Sequence, residues 1–335
     1  MLINFYTFRL NSLPVHAFMN IGFSFLRPSR FTVFAIMVLF ATACKDKKEF
    51  NQETAQSTVD LRSAIGEMDE VLKDVNTVIL EQYTLRGRSA GQSPTTSVCG
   101  VKLDTNNQLR GEISLIYDGT DCYGRIKTGK VTVKVVDYPS RKWKHKDCEL
   151  RIDFLAYQVS RTTDSKIVKI EGQQTLRNES GNSWFELWYM GSPPVTYVHS
   201  AENTKLTFTG NNTAVFNIHR SLNFSYANEV TSCRVEGRGS SLGRSNVEAW
   251  GQSTAGNTFA AEVVTPYVWR TKCGALAPLS GNVVVSLEER EYELKCKYGV
   301  DASGNLVAEG GSCPFGWEVT WSRKKKTNSR LFGYY

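Results

Sequence analysis

The chain has 335 residues, of which 41% are apolar, and its formal net charge is +7. This apolar content is enough for a packed core and excludes a globally disordered protein. Arg9, Arg27 and Arg30 are the charged residues of the first 43 positions, so the remainder carries +4 with acids and bases interleaved. Nucleic-acid-binding proteins usually have a larger and more clustered basic excess, so we expect no nucleic-acid partner.

The first predicted element is a signal peptide over residues 1–43. Arg27 and Arg30 precede a ten-residue apolar run, Phe31–Phe40, which is too short to span a bilayer as a helix. Small residues at Ala41–Ala43 then lead directly to Cys44. This order is typical of a lipoprotein signal, in which Cys44 is acylated and becomes the first residue of the mature chain. An ordinary secretory signal that leaves Cys44 as a thiol, or a buried anchor, is the alternative.

Lipidation of Cys44 implies a place for the protein in the cell. Its acyl chains would hold the protein on a membrane, which is the partner we expect, without a spanning helix. We predict a lipid anchor in the outer membrane, facing either the periplasm or the cell surface. Residues 44–58 would be a tether, and translation starts at Met1 or Met19.

An amphipathic helix is predicted over residues 59–83. Ser57 and Asp60 have the spacing of a capping box at its start. Apolar residues then recur at steps of three and four, which places them on one face of a helix that packs on the following domain. A coiled coil is the less favoured alternative, because the repeat covers barely three heptads. The stripe consists of Leu61, Ile65, Met68, Leu72, Val75 and Ile79.

The chain after residue 97 has the pattern of antiparallel strands. Apolar and polar residues alternate over 131–135, 150–154 and 216–226, and Gly, Asn and Asp separate these runs. We therefore predict a mainly β fold built as an antiparallel meander. The meander would form a curved open sheet or half-barrel, and paired sandwiches are the alternative. Two related halves would cover 97–202 and 203–322, and a basic tail would follow at 323–335.

Seven cysteines follow Cys44, and an exported protein meets an oxidising compartment. Cys99 and Cys122 are 23 positions apart, as are Cys273 and Cys296. We predict a Cys99–Cys122 disulfide and pairing among Cys273, Cys296 and Cys313. Because seven is odd, at least one thiol is free or joined to another chain. The sequence has neither a C-x-x-C motif nor a histidine pair, so we predict no metal site and no cofactor.

The search for catalytic residues gives no complete set. His199 or His219 is a possible base, but no nucleophile stands at a recognisable spacing from either. Glu186 alone does not supply the paired carboxylates of a glycosidase. We therefore predict that the protein is not an enzyme.

Aromatic residues are the better candidates for ligand contacts. Trp184 and Trp188 would share one face of a strand, and Trp317 and Trp321 would form a second stripe. Flat rings beside polar groups suit a sugar or an apolar ligand, whereas core packing is the more common role of such residues.

Two sequence blocks carry a family resemblance, "CGVKLD…GEISLIYDGTDCYGRIKTGKVTVKV" and "KIEGQQTLRN". Together with later motifs, they resemble a family of uncharacterised lipoproteins of Bacteroidota over residues 97–322. The resemblance implies an envelope location and a disulfide-bonded β architecture, and it implies no activity. The chain departs from the family pattern at 117–119 and in having Cys148, Cys233 and Cys296. The later motifs are Arg220–Tyr226, Cys273, Ser280-Gly281, Tyr298-Gly299 and Cys313.

Three functional hypotheses follow from these features. The first is a membrane-anchored envelope lipoprotein with a binding or structural role, whose partner is a glycan, a lipid or another envelope protein. The second is a periplasmic carrier of lipid or lipoprotein that uses an apolar concave face. The third is a hydrolase of envelope polymers, which requires nearby carboxylates or a histidine beside a nucleophile.

The lipoprotein hypothesis makes a direct prediction about Cys44. The Cys44→Ser variant is expected to lose incorporation of radiolabelled palmitate, because the hydroxyl does not replace the thiol as the acylation site. Palmitate labelling that survives this substitution would overturn the assignment of Cys44.

Overall fold

One antiparallel sheet accounts for most of the described chain. The computed structural model describes residues 52–82, 85, 95–288, 293–308, 311–323 and 326–334. Cys44 and the predicted signal peptide lie outside the described residues. The strands, numbered in chain order, are β1 Val101–Asp104, β2 Glu112–Asp121, β3 Arg125–Val135, β4 Cys148–Arg161, β5 Ile167–Asn178, β6 Val195–Phe208, β7 Thr213–Ala227, β8 Val230–Gly237, β9 Gly239–Ser241, β10 Arg244–Gln252, β11 Thr258–Arg270, β12 Ser280–Leu287, β13 Leu294–Val300, β14 Gly316–Arg323 and β15 Lys326–Gly333.

One helix precedes the sheet in sequence, and a second, short helix lies between β5 and β6. Helix α1 is Gln52–Glu81, and the short helix α2 is Trp184–Tyr189. Single 3-10 turns occur at Gln108–Arg110 and Thr209–Asn211.

The strand order is a meander with one interruption. Strands β1 to β7 pair consecutively, β7 then pairs with β10, and β10 to β15 pair consecutively. Strands β8 and β10 both lie between β7 and β11 and pair with different parts of them. Residues 202 and 203 lie inside β6, so the sheet is continuous where the two predicted halves meet. The prediction of a mainly β, antiparallel fold with an N-terminal helix is confirmed.

Helix α1 begins seven residues before the predicted start, and the sheet encloses it. The predicted apolar stripe is buried, as expected. Polar residues that flank the stripe are buried too, including Arg62, Glu67 and Asp69, whereas the face opposite the stripe is half-buried. Contacts to β3, β7 and β11 surround the helix, so the sheet must curve around it. No helix in the described part of the chain is long and apolar enough to cross a membrane.

The segment Trp184–Tyr189 is a helix, and the prediction that it is a strand was wrong. Ser183 and Glu186 form a capping box, in which the backbone N–H of Ser183 donates to Glu186 Oε2 at 2.9 Å. This Ser-x-x-Glu spacing is a helix-start signal that outweighs the aromatic, strand-like composition. In a helix Trp184 and Trp188 are four residues apart and face the same side, with ring centroids 5.5 Å apart.

The predicted basic tail is also corrected, because β15 occupies most of it. Arg323 pairs with Lys326 at the start of an antiparallel pairing that continues to Gly316 and Gly333. Tyr334 is buried, and its hydroxyl donates a hydrogen bond of 3.0 Å to the Pro278 carbonyl. Arg323 therefore lies at the end of β14 and Lys326 at the start of β15, and the strand that follows is anchored in the core through Tyr334.

Two disulfides join cysteines of the described chain. Cys99–Cys122 is formed as predicted, and Cys273 bonds to Cys313. Cys296 was included among the candidate disulfide cysteines, but it is a buried thiol. It lies within β13, paired in register with Val283 and Val319, so its side chain packs in the core. The equal spacing of Cys99–Cys122 and Cys273–Cys296 therefore did not predict which cysteines form disulfides. The other buried thiols are Cys148 and Cys233.

Candidate functional site

Carboxylates of α1 are buried by the sheet and meet cations from its strands. Arg125 of β3 donates from Nη1 to Glu67 Oε1 at 2.5 Å. Lys127 of the same strand lies 2.7 Å from Asp74 Oδ2, which also accepts a hydrogen bond of 3.0 Å from the Tyr117 hydroxyl. An unpaired buried charge is unfavourable by several kcal/mol, so these pairs are a condition for the helix to lie inside the sheet.

A fully buried network centres on Arg220 of β7, whose side chain is 0% exposed. Its Nη2 donates to Asp69 of α1, and its Nη1 donates to the Tyr267 hydroxyl at 3.0 Å. That hydroxyl donates to Glu248 Oε2 at 2.7 Å, and the same carboxylate oxygen lies 3.8 Å from Arg220 Nη1. One guanidinium therefore links the helix to β7, β10 and β11.

His199 belongs to the same network. Its Nδ1 accepts from Arg220 Nε at 3.2 Å, so the ring proton is on Nε2, which donates to Gln174 Oε1 at 2.9 Å. Burial, and then the neighbouring Arg220 charge, lower the pKa of His199 well below its ordinary value. Both ring nitrogens are engaged by these partners, so His199 is not paired with a nucleophile.

Arg62 of α1 is held between aromatic rings. Its Cζ lies 5.5 Å from the ring centroids of both Tyr267 and Tyr298, which is a cation–π arrangement. Its Nη2 donates to the Ala275 carbonyl at 2.7 Å. The Nε and Nη1 atoms are buried and have no hydrogen-bond partner among the described residues.

A cleft runs along the N-terminal half of α1 and has two adjoining lobes, of about 350 Å³ and about 200 Å³. Val59 and Ser63 of α1 line both lobes, as do Arg161, Asp164 and Lys166 at the turn between β4 and β5. The first lobe is also lined by Asp60, Glu67, Val159, Ile167, Val168, Phe208, Thr209 and Asn212. The second lobe is also lined by Arg62, Leu276, Trp317, Phe332, Gly333 and Tyr334.

Each lobe contains a buried charged side chain with an unused hydrogen-bonding atom. In the first lobe this is Glu67, which is 2% exposed and whose Oε2 has no partner among the described residues. In the second lobe it is Arg62, which is 3% exposed. Buried polar groups in native proteins are nearly always bonded, and an unsatisfied one costs about 1–3 kcal/mol. The atoms of Arg62 and Glu67 are among fifteen buried side-chain N and O atoms without a partner in the described residues, so the size and charged lining of the cleft, rather than these atoms, make it the candidate ligand site.

The candidate aromatic residues do not share one surface. Trp184 is buried and packs on Phe224, with ring centroids 5.1 Å apart. Trp188 is half-buried, and its Nε1 donates to the Thr231 hydroxyl at 2.7 Å. Trp321 is half-buried and packs against the core. These contacts are those of structural side chains.

Trp317 is different because it lines the second lobe of the cleft. It is 4% exposed, and its ring stacks on Phe332 at 5.5 Å and on Tyr334 at 5.3 Å. The stack forms an apolar part of the lining of this lobe, which also includes the polar residues from the β4–β5 turn.

The charged residues of the network were missed by the sequence interpretation, although a signal was present. Arg220 has the same parity along β7 as the core residues Ile218 and Leu222. A charged residue at an inward position requires a buried partner. Glu67 and Asp69 gave no such signal, because they lie on the helix face that was expected to be solvated.

The fold and the cleft define the class of protein, an antiparallel β protein that encloses its own N-terminal helix and has a charged cleft beside that helix. No family model matches the chain, and no match was found among curated proteins or among solved structures. Within the described ranges, no group of three or more His, Cys, Asp or Glu side chains is placed to hold a metal ion.

Removal of the central cation tests the network. The Arg220→Met variant leaves Asp69 and Glu248 buried without their cation, so we expect unfolding free energy to fall by about 3–5 kcal/mol. The measurement is urea unfolding at pH 7. Arg234→Met is the matched control, because its pair with Glu236 is exposed and is worth less than about 1 kcal/mol. Equal losses in the two variants would contradict the importance of the network.

The buried histidine predicts a dependence on pH. Because the folded-state pKa of His199 is lowered, the unfolded chain binds the extra proton as pH falls through about 6.5, and stability falls. The His199→Asn variant lacks this loss, so the stability advantage of the wild type is expected to shrink between pH 7.5 and pH 5.5. Urea unfolding across this range measures the difference, and His219→Asn controls for loss of a histidine outside the network. A pH-independent difference would contradict the prediction.

Proposed function

We propose that the protein is a membrane-anchored envelope lipoprotein that binds a small polar ligand in the cleft beside α1. The observation that carries the proposal is the cleft itself, whose two lobes are lined by charged side chains of α1 and of the β4–β5 turn. A concave site with a few charged groups beside apolar walls is typical of small-ligand sites. The predicted lipoprotein signal that ends at Cys44 and the family resemblance support the envelope location.

The carrier hypothesis is less well supported, because α1 fills the concave side of the sheet. The apolar residues that would line a carrier's cavity, such as Leu61, Met68 and Val75, instead form the interface between helix and sheet. A carrier would require α1 to leave this position, which would break the buried pairs at Asp69 and Asp74.

A hydrolase of envelope polymers is the second candidate, and one observation favours it. Burial raises the pKa of Glu67, although Arg125 acts against this shift. Partial burial, the largest single effect, raises the pKa of Asp164, but the Lys166 backbone N–H and the Arg161 guanidinium together outweigh it and lower that pKa. Both carboxyls line the first lobe, and a pair with opposite shifts suits a general acid and a general base. Cleavage of an envelope polymer that is lost in Glu67→Gln would favour this candidate.

A variant that fills the cleft tests the binding function. Ser63 lines both lobes and is half-buried, so the Ser63→Trp variant is expected to exclude ligand from each. Native mass spectrometry of the full chain, expressed in a bacterium that exports lipoproteins, measures co-purified small molecules. We expect an added mass on the wild type that is absent from Ser63→Trp.

The matched control is Ser225→Trp, which introduces the same side chain at an exposed position of β7. It is expected to keep the added mass, and circular dichroism checks that both variants fold. An added mass that persists in Ser63→Trp, or a wild type that carries none, would contradict binding in the cleft.

A further inference from the structure

An exposed group of aromatic side chains surrounds the short helix α2. Tyr189 and Met190 are 71% and 65% exposed, and Tyr226 of β7 is 39% exposed. The ring centroids of Phe185 and Tyr189 are 4.9 Å apart, and those of Trp188 and Tyr226 are 6.5 Å apart. Because residues three and four apart on a helix are neighbours, Phe185, Trp188 and Tyr189 share one face of α2. We call these five side chains the aromatic patch.

The core of the protein holds the aromatic patch in place. The Trp188 indole donates to the Thr231 hydroxyl at 2.7 Å, and its ring packs on the buried Trp184. The capping box of Ser183 and Glu186 fixes the start of α2. Single exposed apolar residues are ordinary on a protein surface, whereas a contiguous group of them is a feature of interaction sites. Aromatic side chains suit such sites, because few rotatable bonds are immobilised on binding.

The aromatic patch and the start of α1 lie at opposite ends of β6. Val59 of α1 and Thr209, which follows the last residue of β6, line the same lobe of the cleft. At the other end of β6, Val195 pairs with Phe224, whose ring lies 5.1 Å from that of Trp184 in α2. Because β6 has 14 residues, its ends are about 45 Å apart along the strand. The predicted tether joins the chain at the start of α1, so the patch is remote from the predicted anchor.

The charge around the aromatic patch disfavours an anionic partner. The five side chains of the patch are uncharged, and Asn228 and Glu229 are exposed at the turn that follows β7. A carboxylate at the rim repels the phosphates of nucleic acids and of anionic lipids, whereas it accepts hydrogen bonds from hydroxyl groups. Neutral sugars have hydroxyl groups at their edges and apolar C–H groups on their faces. They therefore match flat aromatic rings beside polar acceptors.

We propose that the aromatic patch is a docking surface for a neutral glycan. Pyranose rings lie against the exposed rings of Tyr189 and Tyr226, and sugar hydroxyls donate to Glu229 at the rim. Trp188, held by Thr231, supports the patch between α2 and β7. This inference goes beyond the proposed function, because it assigns a second binding surface that is separate from the cleft and requires no ligand there.

NMR titration of the full chain with neutral trisaccharides tests the proposal. The probes are N,N′,N″-triacetylchitotriose, cellotriose and maltotriose, and the reporter is the indole N–H resonance of Trp188. We expect at least one probe to shift this resonance saturably, with a Kd on the order of 1 mM or below. The Ser63→Trp variant is expected to bind that probe equally well, because its substitution lies in the cleft. The absence of a saturable shift with all three probes would overturn the proposal.

Matched tyrosine substitutions locate the binding surface. Tyr189→Ser removes an exposed ring from the aromatic patch, so we expect it to weaken binding of the active probe about fivefold or more. Tyr123→Ser is the control, because Tyr123 is 99% exposed between β2 and β3 and lies outside the patch. We expect it to change the Kd less than about twofold. Circular dichroism checks that both variants fold. Equal Kd values for the wild type and Tyr189→Ser would show that the sugar binds elsewhere and would overturn the assignment.

Two further measurements ask whether a different partner covers the aromatic patch. Both use the Cys44→Ser protein, which lacks the predicted acylation site. Sedimentation with vesicles of phosphatidylcholine and phosphatidylglycerol measures membrane binding, and light scattering measures the oligomeric state. We expect a monomer that stays in the supernatant. Vesicle binding or dimerisation that Tyr189→Ser abolishes would assign the patch to a bilayer or to a second copy of the chain and would overturn the glycan proposal.

Discussion

Enclosure of a charged helix is the constraint on which the rest of the structure depends. The sheet surrounds α1, so Glu67, Asp69 and Asp74 lose their water, and each needs a cation from a strand. Apolar packing alone would allow the helix to slide or rotate in the groove, since one aliphatic contact is much like another. Directional pairs to β3 and β7 permit one axial position, because a shift of one turn would leave every buried charge unpaired. We infer that the network specifies where the helix lies more than it adds stability.

Regular alternation made most of the sheet predictable, and the failures have local physical causes. Side chains alternate across a strand, so the apolar parity of β3, β4 and β7 was readable. The segment Trp184–Tyr189 was misassigned because its composition favours a strand while its capping box favours a helix. Cys296 was misassigned because pairing depends on which way a side chain points, and spacing along the chain does not contain that information.

The candidate site was less predictable, because it depends on contacts between distant segments. Its walls come from α1, the β4–β5 turn and the end of β15, which the sheet brings together only by curving around the helix. Arg62 and Glu67 occupy the polar positions of an amphipathic pattern, and such positions are normally solvated. Their burial can be inferred only once it is known that the sheet curves around the helix. That fact depends on the topology of the sheet. Trp317, an aromatic candidate from the sequence, lines the second lobe, but its neighbours in the cleft were not identified from the sequence.

The unsatisfied atoms of Arg62 and Glu67 acquire their significance from how well the other buried charges are paired. Asp69, Asp74 and Arg220 all have short, directional partners, so the fold is able to satisfy charges around this helix. At about 1–3 kcal/mol for each unsatisfied group, the two exceptions amount to a sizeable part of the net stability of an ordinary domain. Arg62 and Glu67 line the same cleft, whereas Glu81, whose Oε2 is also buried without a partner among the described residues, does not line it. Glu67 therefore belongs to both groups, because its Oε1 pairs with Arg125 to hold the helix while the residue also lines the cleft.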